Sequence, residues 1–431
     1  MADEIKDMMT PAYDKKKKKE PSHTRKHSKT STIMLAVLVL VLILVPFVFA
    51  ATSQEIYTRI LTIIGLYLIL ALGLNILVGY AGQLDFGRIA FYAAGAYAGM
   101  IIGLIVANAL PAQFAGLSFI VAILAGVAGA ALLGGILSLA VLRLRGDYLT
   151  IVTLGFAEII RVSAQNNILH LTGGAAGIPT AGKNLPMPIG LAWLQKNLYI
   201  PLGNSNYSIS FSANIYWYLL ILLFVIIAII ITRRQENSRT GRAWAALKDD
   251  DVAARAMGIN TTKTKTSAIM MSAIWGGVAG ALFAYVQGMV SPETFAFFGS
   301  ILVLAIVVIG GMGSTKGVII GAIIIYGTPE LIRAFAGPSG LPFIMWQLPL
   351  SQNVVATIAN YRNLVLGLLM VVMMAWRPDG IIPMVRPKRF LTTEAQKKIE
   401  GSAGDSTVDP NSASASAVPA EEDLVKAGDA A

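Results

Sequence analysis

Ile215–Thr232 reads IYWYLLILLFVIIAIIIT, eighteen consecutive positions without a charged residue. A membrane-spanning helix needs about 20 predominantly apolar residues, because the hydrocarbon core of a bilayer is about 30 Å thick. Comparable apolar runs recur along the chain between Ile33 and Trp376. The sequence therefore predicts an all-α fold, that of a polytopic helical membrane protein.

The composition agrees with this class. Of the 431 residues, 55% are hydrophobic and 13% are charged, whereas soluble domains contain about 25% charged residues. The absence of cysteine excludes disulfides, thiolate nucleophiles and cysteine-type metal sites. Two of the three histidines, His23 and His27, lie in the polar head, which argues against a buried histidine cluster. The net charge of +10 is explained by cytoplasmic loops rich in lysine and arginine rather than by nucleic-acid binding.

Ten spans are predicted from the apolar runs and from the charges between them. Basic residues gather before the first span, at Arg143 and Arg145, between Arg233 and Lys265, and after Arg377. With ten crossings all four groups fall on one side of the membrane, so both termini are predicted to be cytoplasmic. The predicted spans are 33–50, 56–79, 85–107, 115–142, 148–166, 215–232, 266–288, 300–313, 317–335 and 361–376.

Two of these spans are weaker than the rest. The first has the small residues of a signal-peptide cleavage site near its end, but its long polar lead favours an uncleaved anchor. The span 300–313 is short and ends in GGMGS, which is typical of a half-helix or of a bent helix pair.

The chain divides into three regions by composition. Residues 1–30 are predicted to be a disordered basic cytoplasmic tail, which serves as a topology signal or contacts anionic lipid. Residues 31–390 form the transmembrane domain, with a long cytoplasmic loop at 233–265. Residues 391–431, rich in Ala, Ser, Asp and Glu, are predicted to be a disordered cytoplasmic tail.

The loop segment Ser238–Lys265 reads SRTGRAWAALKDDDVAARAMGINTTKTK. Apolar residues at roughly helical spacing, opened by Gly241 and stopped by Gly258, predict one short amphipathic helix. Such a helix lies at the lipid headgroups or fits a groove on a soluble partner. The run Asp249–Asp251 weighs against an anionic lipid surface, and the residues alone leave both interpretations open.

A second informative run, Leu74–Tyr97, reads LNILVGYAGQLDFGRIAFYAAGAY. Its four glycines interrupt an apolar pattern, and interrupted helices at membrane depth line a cavity or are buried in protein. Asp85 and Arg88 share one helical face, and the same spacing recurs at Glu158 with Arg161 and at Glu330 with Arg333. Internal ion pairs are favoured over substrate contact for these residues, although both interpretations remain.

Other patterns argue against catalysis. The segment Thr172–Pro179, TGGAAGIP, is predicted to be a turn, and the alternative interpretation is an anion-binding site. The segment Gly310–Gly317, GGMGSTKG, does not fit the phosphate loop GxxxxGK[ST]. No HExxH motif occurs, and His170 has no evident nucleophile to serve. The sequence therefore predicts a protein that is not an enzyme and that needs no cofactor or metal.

Four motifs resemble the membrane permease subunits of bacterial ABC importers for branched-chain amino acids, in particular the subunit with the longer N-terminal region. They start at Leu74 (LNILVGYAGQLDFGRIAF), Leu142 (LRLRGDYLTIVTLGFAEIIR), Gly241 (GRAWAALKDDDVAARAMGI) and Val290 (VSPETFAFFGSILVLAIVVIGGMGS). The closing WRPDGIIP from Trp376 reinforces the match, which covers roughly residues 55–390.

The resemblance implies a fold, partners and roles. It implies a permease of the ten-helix importer type that forms the pathway for Leu, Ile and Val with a second homologous permease. It also implies two ATP-binding subunits that hydrolyse ATP, a periplasmic substrate-binding protein and a place in the bacterial inner membrane. The loop would couple to the ATPase. The coupling residues implied are Gly241, Asp249, Asp250, Ala253, Ala254 and Gly258; Asn75 and Gln83 are candidates for pathway contacts.

The sequence departs from the family pattern at Asp85 and Arg88, where relatives usually have uncharged or histidine-type residues, and in a longer outer segment at 337–360. These differences leave open a related permease for another amino acid or for an amide such as urea. Two rival classes are also considered. A membrane enzyme would need acidic metal-binding clusters, and a passive channel would not need the loop 238–265.

Overall fold

The computed structural model describes residues 29–51, 55–109, 116–141, 144, 147–167, 170–179, 199–201, 208–210, 213–328, 362–377 and 380–383. Most of these residues are helical. The α-helices are α1 Lys29–Ala51, α2 Glu55–Asn75, α3 Arg88–Ala109, α4 Leu117–Val141, α5 Asp147–Gln165, α6 Ala213–Glu236, α7 Arg239–Asp249, α8 Asp251–Ala256, α9 Thr261–Gln287, α10 Phe297–Gly310, α11 Thr315–Ala322 and α12 Arg362–Trp376.

Short irregular elements connect these helices. Single π-helical turns follow α2 at Ile76–Tyr80 and α11 at Ile323–Gly327, and 3₁₀ turns lie at Gly174–Ala176 and Pro292–Phe295. The strands pair only as two-stranded antiparallel ribbons, β1 with β4 and β2 with β3. They are β1 Ile178–Pro179, β2 Tyr199–Pro201, β3 Ser208–Ser210 and β4 Met289–Val290.

Five helical segments of the described chain are long and apolar enough to cross a bilayer: Ile56–Tyr80, Arg88–Ala109, Leu117–Val141, Ala213–Glu236 and Thr261–Gln287. The apolar segments Val37–Ala50, Phe297–Gly310 and Thr315–Gly327 are shorter. Helices also coincide with the predicted spans 148–166 and 361–376, but α5 contains charged residues and α12 has 15 residues. The fold is thus that of a helical membrane protein, and the count of ten spans stays a prediction.

Several sequence-based expectations fall outside the described residues. They are most of the basic head (1–28), Arg143 with Arg145, Glu330 with Arg333, the outer segment 337–360 and the tail 391–431.

The relative directions of the packed helices follow from which residues touch. A Cβ added at Gly95 would meet Gly277, one at Gly99 would meet Ala281, and one at Gly103 would meet Tyr285. Because both residue numbers rise by four from pair to pair, α3 and α9 run parallel. Gly99 also approaches Ala122, and Gly126 approaches Gly95, so α4 runs antiparallel to both.

The same reasoning orders α2, α6 and α11. Tyr80 contacts Glu236 and Gly65 contacts Ile221, so α2 and α6 run parallel. Tyr67 stacks on Tyr326 and Tyr80 lies near Thr315, which makes α11 antiparallel to α2. All these relative directions match the alternation of the predicted spans.

The close approach of α3, α4 and α9 depends on small residues. A Cβ at Gly95 would lie 2.5 Å from the Gly277 Cα, and a Cβ at Gly277 would lie 2.6 Å from the Gly126 carbonyl oxygen. In lipid, helices associate largely through such backbone contact, because no hydrophobic difference between protein and solvent drives them together. The glycines in these helices therefore position the central trio.

Helix α1 is tied to α6 at a proline. Pro46 lies inside α1 and has no N–H to donate to the carbonyl of Leu42, four residues earlier. The Tyr218 hydroxyl of α6 donates to that carbonyl at 3.0 Å instead. Phe47 and Ala50 pack beside it against the buried Ile215. An unpaired carbonyl in lipid is costly, so this hydrogen bond fixes where α1 meets α6.

Helices α10 and α11 form a tight antiparallel hairpin. Helix α10 has 14 residues, about 21 Å, which is shorter than the hydrocarbon core. A Cβ at Gly310 or Gly317 would collide with the backbone of the other residue. Of the two predictions for 300–313, a half-helix or part of a bent pair, the structure supports a short helix that is part of a helix pair.

Candidate docking segment and helix break

The docking segment, Arg239–Ile259, consists of two helices rather than one. The sequence predicts a single amphipathic helix from Gly241 to Gly258, and this is wrong at Asp250, which is extended with φ −159° and ψ 119°. The Asp250 side chain accepts hydrogen bonds from the backbone N–H groups of Val252 at 2.7 Å and Ala253 at 3.1 Å. Aspartate favours this capping position, so it ends α7 and starts α8.

The end of α8 is as predicted. Gly258 has φ +81°, a left-handed conformation that glycine adopts without strain. The Ile259 N–H donates to the Ala254 carbonyl at 3.0 Å, as in a glycine-terminated helix. The Asn260 side chain then caps α9 by accepting from the Lys263 N–H at 3.0 Å.

Buried contacts hold the docking segment against the helical core. Trp244 and Leu247 are 2% and 6% exposed, and the Trp244 Nε1 donates to the Ser267 Oγ of α9 at 3.0 Å. Gly241 is buried against the backbone carbonyls of Gln235 and Glu236 at the end of α6. These contacts join α7 to both α6 and α9.

Helix α8 is attached to α9 by charge. Asp251 lies 3.2 Å from the Lys265 Nζ and 4.0 Å from Arg255. Ala254 is 4% exposed and faces inward. Of the predicted coupling residues, Gly241 and Ala254 are therefore buried and hold the segment in place, while the other four are exposed.

Apolar side chains are exposed on α8 and directly after it, next to the exposed Arg255. Val252 is 67% and Met257 is 82% exposed, and Ala253 lies between them. We call Val252, Ala253, Met257 and Gly258, with the neighbouring Asp249, the docking face. An exposed apolar cluster on a rigidly held element is typical of a protein interface.

A helix break lies next to this segment, where α2 passes into the π turn Ile76–Tyr80. Asn75 is fully buried, and its Oδ1 accepts from the Gly313 N–H at 2.8 Å. A Cβ at Gly79 would lie 2.5 Å from the Gly313 N. The hairpin between α10 and α11 thus rests directly on the π turn, and the Asn75 side chain holds this contact.

The Tyr80 hydroxyl adds a polar junction at the same place. It donates to the Glu236 Oε2 at 3.3 Å and lies 3.2 Å from the Thr315 Oγ1. Three helix ends therefore meet at Tyr80, those of α2, α6 and α11.

Residues 81–87 continue from the break as an irregular segment inside the bundle. The alignment of Gly95 with Gly277 places the start of α3 level with Met270, nine residues or about 14 Å beyond the start of α9. Gln83 is 8% exposed, and its N–H donates to the Leu77 carbonyl at 3.0 Å. The Gln83 Nε2 and the Asn75 Nδ2 are buried and have no hydrogen-bond partner among the described residues. The glycine-rich run is therefore the irregular connection between two helices that are each long enough to span a bilayer, and its place along a cavity stays a prediction.

Asp85 and Arg88 do not form the predicted ion pair. The Asp85 Oδ1 accepts from the Gly87 N–H at 2.7 Å, and the Arg88 guanidinium donates to the Ser272 hydroxyl and, at 3.2 Å, to the Leu70 carbonyl. Both side chains are buried. Arg88 of α3 therefore joins α2 and α9, because its guanidinium donates hydrogen bonds to acceptors on both of these helices.

Glu158 and Arg161 do pair, as predicted. The Arg161 Nε lies 3.1 Å from both carboxylate oxygens of Glu158, and the Arg161 Nη1 lies 3.5 Å from Glu293. This second contact joins α5 to the 3₁₀ turn before α10.

The glycine-rich segment Thr172–Pro179 is a turn that leads into the β1–β4 ribbon. The Thr172 Oγ1 donates to the Ala164 carbonyl at 2.7 Å, and Ile178 pairs with Val290. Gly177, at φ +73°, packs against the Val290 carbonyl. The structure therefore supports the interpretation of Thr172–Pro179 as a turn, which the sequence favoured over an anion site.

One functional link was missed from the sequence. The Lys248 Nζ of α7 donates to the Gly79 carbonyl in the π turn at 2.8 Å, across 169 residues. A lysine in a polar loop gives no signal of this contact in the sequence. The described residues also contain no group of three His, Asp or Glu side chains arranged to hold a metal ion.

The apolar helices, their alternation and the buried break define a multi-pass helical membrane protein. Residues 56–374 match the family "Branched-chain amino acid transport system / permease component". The chain belongs to this family.

Its relatives are permease proteins. The chain is 38% identical over 360 residues to the high-affinity branched-chain amino acid transport system permease protein LivM of Salmonella typhimurium, covering 82% of this chain and 75% of that protein. LivM of Escherichia coli K12 is 37% identical over 356 residues with the same coverage. A shorter match, 32% identical over 98 residues, joins 23% of the chain to 32% of the permease LivH of Salmonella typhimurium. No solved structure matches the chain.

Proposed function

We propose that this chain is one permease subunit of an ATP-driven importer for leucine, isoleucine and valine. It forms the translocation pathway with a second homologous permease. Two ATP-binding subunits on the cytoplasmic side hydrolyse ATP, and a periplasmic binding protein delivers the amino acid. The relatives LivM and LivH are permease proteins of branched-chain amino acid transport systems, which supports the substrate class and a permease pair.

The observation that carries this proposal is the docking face. Val252 and Met257 are more than half exposed on a segment that is attached to α9 through Trp244 of α7 and through the pair of Asp251 with Lys265. Lipid would cover apolar side chains on a span, but α8 is only six residues long and lies between charged residues. A groove on a soluble ATPase subunit is the partner that suits such a face.

The predicted coupling residues divide into two roles in this proposal. Asp249, Ala253 and Gly258 contact the ATPase, together with Val252 and Met257. Gly241, Asp250 and Ala254 hold the segment in shape, since Gly241 and Ala254 are buried and Asp250 caps α8.

The pathway proposal rests on the helix break. Asn75 and Gln83 each have a buried amide nitrogen that finds no hydrogen-bond partner in the described part of the chain, and polar groups at membrane depth mark transport pathways. ATP binding drives alternating access only as far as ATP favours one conformation of the assembly over the other. Substrate passage then depends on movement at the break.

The membrane arrangement of this proposal keeps the ten predicted spans and three regions, 1–30, 31–390 and 391–431. Both termini and the docking segment lie in the cytoplasm, at the inner membrane of a bacterium. The parallel and antiparallel contacts support the alternation of spans, and the basic residues Arg233 to Lys265 support the orientation.

ATP-dependent leucine uptake by the assembled importer tests the proposed function. The chain is co-expressed with its partner permease, ATP-binding and substrate-binding subunits and reconstituted in liposomes. Met257→Asp places a charge in the docking face without disturbing a buried contact. We expect the ATPase subunits to be lost from the purified complex and uptake to fall at least about tenfold, as for a truncated interface anchor.

Thr262→Asp is the control, because it adds the same charge at an exposed position at the start of α9. It should retain both the ATPase and uptake. Equal loss in the two variants would contradict the docking face. Assembly and ATP turnover without uptake of leucine, isoleucine or valine would overturn the substrate and favour another amino acid or an amide such as urea.

A further inference from the structure

The contact between Lys248 and Gly79 connects two parts of the molecule that the proposed function treats separately. Lys248 belongs to α7 of the docking segment, and Gly79 belongs to the π turn at the helix break. Carbonyls in the last turn of a helix lack intrahelical partners. A cation is favoured at this end of a helix by the helix dipole.

Backbone donors serve the neighbouring carbonyls of this turn. The Ile76 carbonyl accepts from the Ala81 N–H at 3.2 Å, and the Leu77 carbonyl accepts from the Gln83 N–H at 3.0 Å. The Gly79 carbonyl instead receives the Lys248 ammonium group. A side chain from the docking segment therefore supplies a hydrogen-bond donor to a backbone carbonyl at the end of α2.

Lys248 is an exposed residue, and its stem passes close to Gly82. A Cβ at Gly82 would lie 2.8 Å from the Lys248 Cγ and 3.2 Å from its Cβ, and Gly82 has φ +68°. Glycine at this position thus serves both the turn and the approach of Lys248.

The opposite side of the π turn touches the hairpin between α10 and α11. Gly79 meets the Gly313 backbone, Asn75 accepts from the Gly313 N–H, and Tyr80 lies beside Thr315. A displacement of Lys248 therefore acts on a turn that packs directly against this hairpin. Single π turns inside helices occur frequently at functional sites.

We propose that Lys248 is the positioning residue that transmits movement of the docking segment to the helix break and the α10–α11 hairpin. This inference rests on the proposed function, since it needs an ATPase bound at the docking face. Lys248 sets how closely ATP hydrolysis is tied to substrate passage, and it touches neither ATP nor the amino acid.

The test compares Lys248→Met with the wild-type importer complex. Methionine keeps an unbranched apolar stem in the space beside Gly82 but cannot donate to the Gly79 carbonyl. Hydrogen exchange is measured over residues 249–258 and 311–316, with and without ATP and vanadate. ATP turnover and leucine uptake are measured on the same complexes.

We expect nucleotide to change exchange in both segments of the wild type. In Lys248→Met the change in 249–258 should remain and the change in 311–316 should be lost. Leucine moved per ATP hydrolysed should fall at least about fivefold, the lower range for coupling between sites. Lys263→Met removes an exposed lysine from the same region and should match the wild type. Lys248→Arg keeps a donor and should restore much of the coupling.

The outcomes separate the two proposals. An unchanged response at 311–316 in Lys248→Met overturns the role of Lys248 alone. A parallel fall in ATP turnover, uptake and melting temperature also overturns it, because a merely structural contact would act in that way. If nucleotide changes neither segment in the wild type, docking itself fails, and the inference fails with it. The exchange result does not depend on which substrate the importer carries.

Discussion

Tyr218 illustrates how single side chains complete the backbone in a membrane protein. Its hydroxyl replaces the donor that Pro46 removes from α1, by bonding to the Leu42 carbonyl at 3.0 Å. Proline inside a membrane helix is tolerated when a neighbouring helix satisfies the freed carbonyl in this way.

Tyr218→Phe removes this hydrogen bond and keeps the ring. We expect the free energy of unfolding, measured by denaturant titration in mixed micelles, to fall by about 1–2 kcal/mol, since the Leu42 carbonyl is left without a donor. Proteolysis within 29–51 should become faster.

Tyr216→Phe is the matched control, two positions away on the same helix. No hydroxyl partner for Tyr216 is found among the described residues, so its free energy of unfolding should change by less than about 0.5 kcal/mol. Equal effects at the two tyrosines would show that the Leu42 hydrogen bond does not stabilise α1.

At the residue scale, sequence patterns predicted the backbone conformation better than they predicted which residues contact each other. The stop at Gly258 and the turn at Thr172–Pro179 could be predicted, because glycine punctuation acts locally. The partners of Arg88 could not, since Ser272 and Leu70 come next to it only after three helices have packed. Asp250 was predicted as a coupling residue. Its role as the cap of α8 was not predicted, because the sequence did not reveal the break between α7 and α8.

At the scale of elements, the length of the apolar runs predicted where helices lie, but it did not predict which helices pack closely. Which glycines matter depends on facing residues that the sequence does not reveal. Gly95 touches the Gly277 backbone, whereas a Cβ added at Gly135 on α4 would meet no atom of a neighbouring helix within 4 Å.

Gly95→Ala should separate α3 from α9. A Cβ at this position would lie 2.5 Å from the Gly277 Cα, and both helices would have to move apart. We expect a loss of about 1–3 kcal/mol in the free energy of unfolding, as for overpacked interiors. Thermal unfolding in detergent provides the measurement.

Gly135→Ala is the control, and its expected effect on the free energy of unfolding has the opposite sign. Alanine meets no neighbouring helix there and is the better helix former by about 0.5–1 kcal/mol. The variant should be neutral or slightly more stable. A Gly95→Ala protein as stable as Gly135→Ala would contradict the contact between α3 and α9.

For the whole molecule, contacts establish the directions of the helices relative to one another. The distribution of charge indicates which helix ends face the cytoplasm. Helices α3 and α9 run parallel, and so do α2 and α6, but this pattern is equally compatible with either orientation in the membrane. Only the asymmetry of lysine and arginine, concentrated from Arg233 to Lys265, selects the cytoplasm for the docking segment. The orientation is therefore the part of the architecture that most needs a direct measurement.

The absence of cysteine makes that measurement direct, because single cysteines can be introduced without a background. Thr262 is exposed at the start of α9 and Met289 is 47% exposed just beyond its end. The 27 residues of α9 separate the two ends of the helix by about 40 Å, more than the hydrocarbon core. We expect a membrane-impermeant maleimide to label Met289→Cys in intact spheroplasts and Thr262→Cys only after permeabilisation. Labelling of Thr262→Cys from outside would invert the molecule and remove the docking face from any cytoplasmic ATPase. Labelling of both positions from outside would mean that α9 does not cross the membrane, and the alternation of spans on either side of it would have to be redrawn.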